Sequence, residues 1–458
     1  MRLFFVLLVW FTGQLVYAQN KQLLYNVNSL PQNLMANPGG EVRFDMHAGV
    51  PFFSQISFSA GSSGVSLYDI FGEGNGTVNE NIDRSLSRIS DRDFFTVRNQ
   101  LELLFLGWRD KKRNYFSAGI YQESDVFAYF PKDLAVLAWE GNENQKNFHL
   151  SDLAFTGEVL NVFHFGVSHY WNRDLSIGIR GKLYSGIINV RSIDNNGDFF
   201  TYGSSENGVS RPNLRKVDVL LRTAGLGPFL NENKMTNKEL FNHFRSQAFL
   251  GGNLGVGVDI GFTYFLTDQY RLTGSLLDIG MLKHTEDVRT FRYYGDYDSN
   301  QESTLDPDHP DSGELGEYFH EEELSDPYIS TRPVKLNASF DYGFEEDLYL
   351  AACDYRERRP RRRYRNHVGL QLFSMKRPRG LVNAATVYFD RKFSQNFFGK
   401  VTYTVDSFSY SNVGLLVSGR FSNFNLYLAA DNLLDYSNLA KARNASVQLG
   451  FQFIFDKG

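Results

Sequence analysis

The residues from Asn253 to Tyr264 constrain the fold more than any other stretch. Leu254, Val256, Val258, Ile260, Phe262 and Tyr264 fall on every second position, with Gly255, Gly257, Asp259, Gly261 and Thr263 between them. Successive residues of an extended chain point to opposite sides, so this segment reads as a β-strand with one apolar face and one small or polar face. The pattern recurs. Val334, Leu336, Ala338, Phe340 and Tyr342 alternate with Lys335, Asn337, Ser339 and Asp341. Leu175, Ile177 and Ile179 alternate with Ser176, Gly178 and Arg180, and Val401, Tyr403 and Val405 with Lys400, Thr402, Thr404 and Asp406. Phe424, Leu426 and Leu428 alternate with Asn425, Tyr427 and Ala429.

Two architectures alternate in this way. A β-sandwich turns its polar face to water, whereas a membrane barrel turns its apolar face to lipid and keeps a polar, glycine-tolerant lumen. Periodicity alone does not separate them. Beyond the N-terminus no apolar run is long enough for a transmembrane helix. The chain is rich in aromatics, with 41 Phe, 25 Tyr and 4 Trp. Its last strand alternates Val447, Leu449, Phe451, Phe453 and Phe455 with Ser446, Gln448, Gly450 and Gln452, and three residues follow. An alternating, aromatic final strand is what outer-membrane assembly recognises, and a sandwich has no reason to end this way.

Further strands are expected over Glu41–Pro51, Phe53–Gly61, Phe94–Leu106, Tyr115–Glu123, Val162–Trp171, Leu214–Arg222, Tyr270–Asp278, Leu348–Tyr355, His367–Met375, Asn383–Asp390 and Val413–Ser418. Spanning strands need ~9–11 residues and single-chain bacterial barrels have even strand numbers, which gives about 14. The expected fold class is all-β, a transmembrane antiparallel β-barrel with an N-terminal hatch and short helical insertions. Helices are expected over Asn79–Asp91, with Ile82, Leu86 and Ile89 at helical spacing, and after Thr236-Asn237-Lys238-Glu239, a capping box ahead of Leu240, Phe241 and Phe244. Such helices plug a lumen or decorate a loop.

The N-terminus predicts export to the cell outer membrane. Arg2 precedes the apolar run Leu3–Phe11, and Val16-Tyr17-Ala18 ends on a small residue, the layout of a signal peptide over residues 1–18. Nine apolar residues span only about 14 Å as a helix, too short for a bilayer core. Residues 19–40, with Leu30-Pro31 and Asn37-Pro38-Gly39-Gly40, do not suit a regular strand and are expected to form the hatch in the barrel mouth; residues 41–458 form the barrel. Cys353 is the only cysteine, so no intramolecular disulfide forms. The formal net charge of −5 gives no reason to expect a nucleic-acid partner.

Leu30-Pro31-Gln32-Asn33-Leu34, Asn37-Pro38 and Val50-Pro51-Phe52-Phe53 near the start resemble a Bacteroidota outer-membrane barrel family of uncharacterised function. Tyr410-Ser411-Asn412-Val413-Gly414, Tyr427 and Asp431-Asn432-Leu433-Leu434 carry the resemblance at the other end. That family is similar to long-chain fatty acid transporter barrels and to barrel subunits of the type IX secretion system. The resemblance implies a 14-stranded barrel with an N-terminal hatch and supplies no substrate. This chain departs from the family's common Asn-Pro-Ala by reading Asn37-Pro38-Gly39.

Two charge clusters stand out. The acidic loop 296–326 holds twelve Asp/Glu and no Lys or Arg. Clustered carboxylates suit Ca²⁺, but Asp306-Pro307-Asp308-His309-Pro310-Asp311 lacks EF-hand spacing, and a solvated loop is the plainer reading. The Arg-rich turn 356–365 carries seven Arg. Planar guanidinium groups suit phosphate, which makes Arg359, Arg361, Arg362 and Arg363 candidate contacts to lipid phosphates. Pairing with the acidic loop, or a solvated turn, are the alternatives. Counting strands back from the C-terminus puts the Arg turn on the periplasmic side.

Catalysis is not expected. No nucleophile elbow, phosphate loop or helical His pair occurs, and His164 and His169 fall on opposite faces of one strand. No cofactor is implied. The expected function is passive transport or binding of small hydrophobic molecules, with outer-membrane lipids as partners. The alternative is an accessory subunit that meets other outer-membrane or secretion-complex proteins. Charges introduced at Val256, Val258 or Ile260 are expected to impair assembly, and the same change at Asp259 or Thr263 to be far milder.

Overall fold

The computed structural model describes residues 22–72, 76–111, 114–141, 147–202, 211–230, 236–298, 318–347 and 361–456. In chain order the strands begin with β1 (Met46–Gly49), β2 (Ile56–Ser62), β3 (Phe94–Arg109), β4 (Tyr115–Tyr129), β5 (Phe148–His149), β6 (Phe155–Tyr170) and β7 (Leu175–Ser192). Next come β8 (Asn196–Tyr202), β9 (Arg211–Ala224), β10 (Asn253–Phe265), β11 (Tyr270–His284), β12 (Arg289–Asp298), β13 (Phe319–Leu324) and β14 (Tyr328–Thr331). The series ends with β15 (Lys335–Glu346), β16 (Tyr364–Arg377), β17 (Gly380–Lys392), β18 (Phe397–Asp406), β19 (Asn412–Phe421), β20 (Phe424–Asp431) and β21 (Asn444–Phe455).

Antiparallel pairing runs from β3 through β4, β6, β7, β10, β11 and β15 to β21, and β1 with β2 fills the one position between β21 and β3. β14 continues the position of β15 beside β11. The sheet thus closes into a barrel of 14 strands. Closure leaves no barrel strand with an unpaired edge, the condition for crossing lipid with strands.

The alternation has the orientation of a membrane barrel. Val256, Ile260, Phe262, Ile177, Ile179, Leu336, Phe340, Val401 and Leu428 are exposed on the outside, while Asp259, Thr263, Ser176, Arg180, Asn337, Thr402 and Asn425 are buried inside. Leu254 to Tyr264 covers about 26 Å along the barrel axis at a rise of ~3.4 Å and a tilt of ~40°, close to the ~25 Å apolar band of outer-membrane barrels.

The motif Val50-Pro51-Phe52-Phe53 is where the chain steps out of the sheet between β1 and β2. Phe52 takes a left-handed φ of 64°. The Val50 N–H donates to Phe451 and the Phe451 N–H donates to Phe53, so the step is bridged to β21 on both sides of Pro51, which has no N–H to give.

Short turns and the chain's described ends gather at one end of the barrel, and the helices at the other. The helix expected over Asn79–Asp91 runs Val78–Arg88 from a Thr77–Glu80 capping box. The second runs Asn237–Ala248 from the Thr236–Glu239 box. Both decorate the loop end.

Three expectations change. The segment Leu214–Arg222 is no barrel strand, because β7 pairs directly with β10. It lies within β9, which leans off the loop end of β7 and joins β8, β12, β13 and β5 in a side sheet. The first strand starts at Met46 rather than Glu41. The acidic and Arg-rich segments do not pair among the described residues, since Asp296–Asp298 and Phe319–Asp326 belong to the loop end and Arg361–Arg365 to the turn end. Residues 1–18, Asp306–Asp311, Leu348–Tyr355 and Arg359 lie outside the described residues.

Candidate functional site: the filled lumen

The chain from Gln22 to Asp45 lies inside the barrel at the turn end. Leu23, Leu24, Val27 and Leu30 pack against Leu416, Tyr427 and Ala429 of the wall. Met35 joins Phe105, Tyr121, Leu160, Val162, Tyr184 and Leu282, and Leu34, Val42 and Phe44 meet Tyr115 and Ile454. The wall satisfies the segment's backbone as it crosses. Lys400 donates to the Tyr25 carbonyl at 2.7 Å, Ser275 to Ala36 at 2.7 Å, and Arg180 to Leu34 at 2.9 Å and Met35 at 3.0 Å. Asn37 in turn donates to the Phe262 carbonyl at 3.1 Å.

The glycines on the inner faces of β7 and β10 make this approach possible. A Cβ on Gly178 would sit 2.0 Å from the Pro38 carbonyl oxygen, and one on Gly261 2.1 Å from Asn37 Oδ1. Gly39 of the segment meets the same constraint, 2.3 Å from the Gly261 oxygen, so the glycine of Asn37-Pro38-Gly39 fits a place where alanine does not.

Above the segment a ladder of buried ion pairs crosses the lumen wall. Asp259 accepts from Arg180 at 2.8 Å and pairs with Lys182 at 2.8 Å. Lys182 also pairs with Asp278, Asp278 with Lys335 at 2.7 Å, Lys335 with Glu123 at 3.4 Å, and Glu123 with Arg332 at 3.1 Å. Arg332 ends the ladder on Glu158. The alternation places the strand residues among these inside, but only the closed barrel, which brings six strands together, reveals who meets whom. Asp259 also accepts from the Asp278 N–H at 2.6 Å, where the β10–β11 register slips. The far milder effect expected of charge at Asp259 runs against this packing, because a cation there would face Arg180 and Lys182 without a partner.

Towards the loop end the lumen turns apolar. Phe94, Phe127, Tyr129, Val382 and Phe408 form one buried cluster and Phe373, Met375 and Ala384 another. The Phe94 and Phe127 rings stack at 4.8 Å, and Arg377 lies 4.4 Å from the Phe127 ring centre while paired with Asp125 at 3.0 Å. The gap along this wall is only about 10 Å³. It shares Ser59, Arg98 and Phe373 with a central cavity of about 70 Å³ that reaches Met35 and Ala36. Larger hollows of about 310 Å³ and 290 Å³ open at the loop end, beside Arg191 and Arg332, and at the turn end, beside Arg43 and Lys392. The N-terminal segment, the ladder and the aromatic clusters together occupy the lumen between these hollows.

The Arg-rich turn faces the segment's exit. Arg361 is buried with its guanidinium 3.6 Å from the Phe265 ring centre, Arg362 is exposed, and Arg363 is half-buried beside Glu41 and Arg43. Burial opposes the charge on Glu41, but Arg43, Arg363, Arg361 and Arg271 outweigh it and hold the carboxyl below the usual carboxylate range. Sequence reading found the arginines and missed Glu41, which nothing in its neighbourhood marks as their partner. His164 is buried inside and His169 exposed outside, so the two do not converge. No group of three or more metal-ligating side chains occurs among the described residues.

A family model described as a family of unknown function, DUF5723, matches residues 38–431. The chain belongs to that family. No curated protein matches it. Among solved structures it is similar to the Pseudomonas putida toluene transporter TodX, at 10% identity over 95% of each chain with a TM-score of 0.39. It is also similar to the CymD monoaromatic hydrocarbon channel, at 12% identity over 94% of each chain with a TM-score of 0.41. A Pseudomonas aeruginosa FadL homologue matches at 10% identity over 95% of this chain and 96% of its own, with a TM-score of 0.42. The strand pairing, rather than these likenesses, defines the barrel described above.

Proposed function

We propose that this member of the DUF5723 family is an outer-membrane barrel that binds small hydrophobic molecules and lets them pass. The observation that carries the reading is the apolar wall of Phe94, Phe127, Tyr129, Phe373, Val382 and Phe408 at the loop end of the lumen, on the far side of the ion-pair ladder from the N-terminal segment. Aromatic rings there offer nothing to a conducted ion, whereas an apolar ligand finds a matching surface. Residues 1–18 act as the export signal and residues 19–40, extended to Asp45, as a hatch. Arg362 contacts lipid phosphates at the turn end, a role also proposed for Arg359, which lies outside the described residues, while Arg361 and Arg363 serve the hatch through Glu41. The partners of this reading are outer-membrane lipids, with no catalytic step.

The test is entry of the apolar dye N-phenylnaphthylamine into cells whose outer membrane carries the barrel. Dye entry several-fold faster than in cells lacking the barrel is expected, with most of the gain lost in the Phe127→Ser/Phe373→Ser double variant at equal barrel abundance. No gain from the intact barrel contradicts the reading. A second reading, an accessory subunit of an envelope complex, is favoured by the side sheet, whose last strand β13 pairs only with β12 among the described residues. A protein partner that copurifies stoichiometrically after mild detergent extraction, with no dye entry, selects it.

A further inference from the structure

The helix Asn237–Ala248 lies on the outside of the barrel. It covers two polar residues that interrupt the apolar wall. Asn161 of β6 and Ser185 of β7 are register partners and share the outward parity of Phe163, Phe165, Ile179 and Leu183. On a lipid-facing wall both need partners. Asn161 donates to the Ala248 carbonyl at 3.0 Å and Ser185 to the Gln247 carbonyl at 2.6 Å, and the Leu250 N–H donates back to Ser185 at 2.8 Å. The wall thus caps the last carbonyls of the helix, which a helix C-terminus leaves without internal partners. His243, on the same face of the helix, lies 3.0 Å from Asp287 of the connection after β11.

At 3.6 residues per turn, Leu240, His243, Phe244 and Gln247 form the face against the barrel. One flank carries Phe241 and Ala248, the other Glu239, Asn242 and Ser246, and Lys238 and Arg245 lie on the side away from the wall. Phe241 is 65% exposed, Phe249 60% and Leu250 45%. These apolar groups continue directly into the band of β10 that starts at Leu254, and Phe249 approaches Phe163 on the wall at 6.4 Å between ring centres. In water this array leaves three large apolar side chains uncovered beside two cations.

We infer that this helix is an interfacial anchor, its Phe241 flank with Phe249 and Leu250 entering the hydrocarbon edge of the outer leaflet while Lys238 and Arg245 meet the anionic phosphates above. The inference rests on the membrane reading of the barrel. Three features point to lipid as the occupant: continuity with the apolar band, a polar flank opposite the aromatic one, and cations placed beside the aromatics, as in helices that lie in a membrane interface.

The test uses the full barrel in proteoliposomes containing anionic lipid, with Cys353→Ser as background and single spin-labelled cysteines at Phe241, Phe249, Asn242 and Val256. Collisional access of oxygen relative to a water-soluble nickel chelate separates lipid from water. Phe241→Cys and Phe249→Cys are expected to resemble the band residue Val256→Cys and to exceed Asn242→Cys several-fold. Labels at 241 and 249 that match Asn242→Cys while Val256→Cys stays in lipid overturn the anchor and leave the barrel reading intact. Labels at 241 and 249 shielded from both reagents point to a protein partner and overturn it equally. A Val256→Cys label in water overturns the membrane reading, and the anchor with it.

Discussion

The tightest constraints are single residues inside the barrel. Gly178 and Gly261 leave room for Pro38 and Asn37, and no side chain replaces them without moving the N-terminal segment. Gly261→Ala is expected to cost ~1–3 kcal/mol as an overpacked contact. It should expose the segment to protease while the barrel stays closed on unheated gels; a segment still protected in the variant contradicts the packing described. Glu41 gives a pH test. Its folded carboxyl lies below the ordinary range, so its contribution is complete above the unfolded pKa of ~4.3 and fades only as pH falls through the lower folded value. Protection of the segment should therefore persist at about pH 5, where unperturbed carboxylates remain mostly ionised. Release at about pH 6, before ordinary carboxylates protonate, would rule out this carboxylate as the tie. Sequence alone gave the polarity of these positions and not their partners. Glycines on the inner faces of β7 and β10 read as a tolerant lumen, and only the three-dimensional packing shows that one from each strand is a contact point for the segment.

At the scale of strands and helices the alternation did most of the work, because parity is a local property. It assigned the outward and inward sets of β7, β10, β15, β18 and β20 correctly. Strand reading failed for Leu214–Arg222 of β9, an extended segment rich in Val and Leu that pairs in the side sheet rather than the barrel, since pairing partners are not local. The ion-pair ladder was hidden for the same reason. Asp259→Asn removes the carboxylate that joins Arg180 to Lys182 and is expected to cost ~3–5 kcal/mol, as breaking a buried pair does. The Leu34–Met35 region of the segment, held through Arg180, should become the first part to exchange amide hydrogens. Val256→Arg should act differently, blocking insertion at a cost of ~2–4 kcal/mol near the bilayer midplane. Normal insertion and unchanged exchange in both variants would show that neither the lumen pairs nor the outward face has the role assigned. The apolar wall at the loop end was the least legible part of the site. Phe94, Phe127 and Phe373 come from strands far apart in the chain, and each on its own reads as ordinary strand composition.

For the whole molecule, closure unites these features. Fourteen paired strands turn an apolar band outward, and the N-terminal segment, the ion-pair ladder and the aromatic wall fill the interior in successive layers. The segment fills the turn end, Arg180 of the ladder ties it to the wall, and the aromatic rings line the lumen towards the loop end. All of this depends on the band facing lipid. The most direct measurement is membrane fractionation followed by gel migration with and without heating. The protein is expected in the outer-membrane fraction, without residues 1–18, and the unheated sample should run faster than the heated one because the closed barrel survives the detergent. Recovery in the soluble periplasm with identical migration before and after heating would contradict the account.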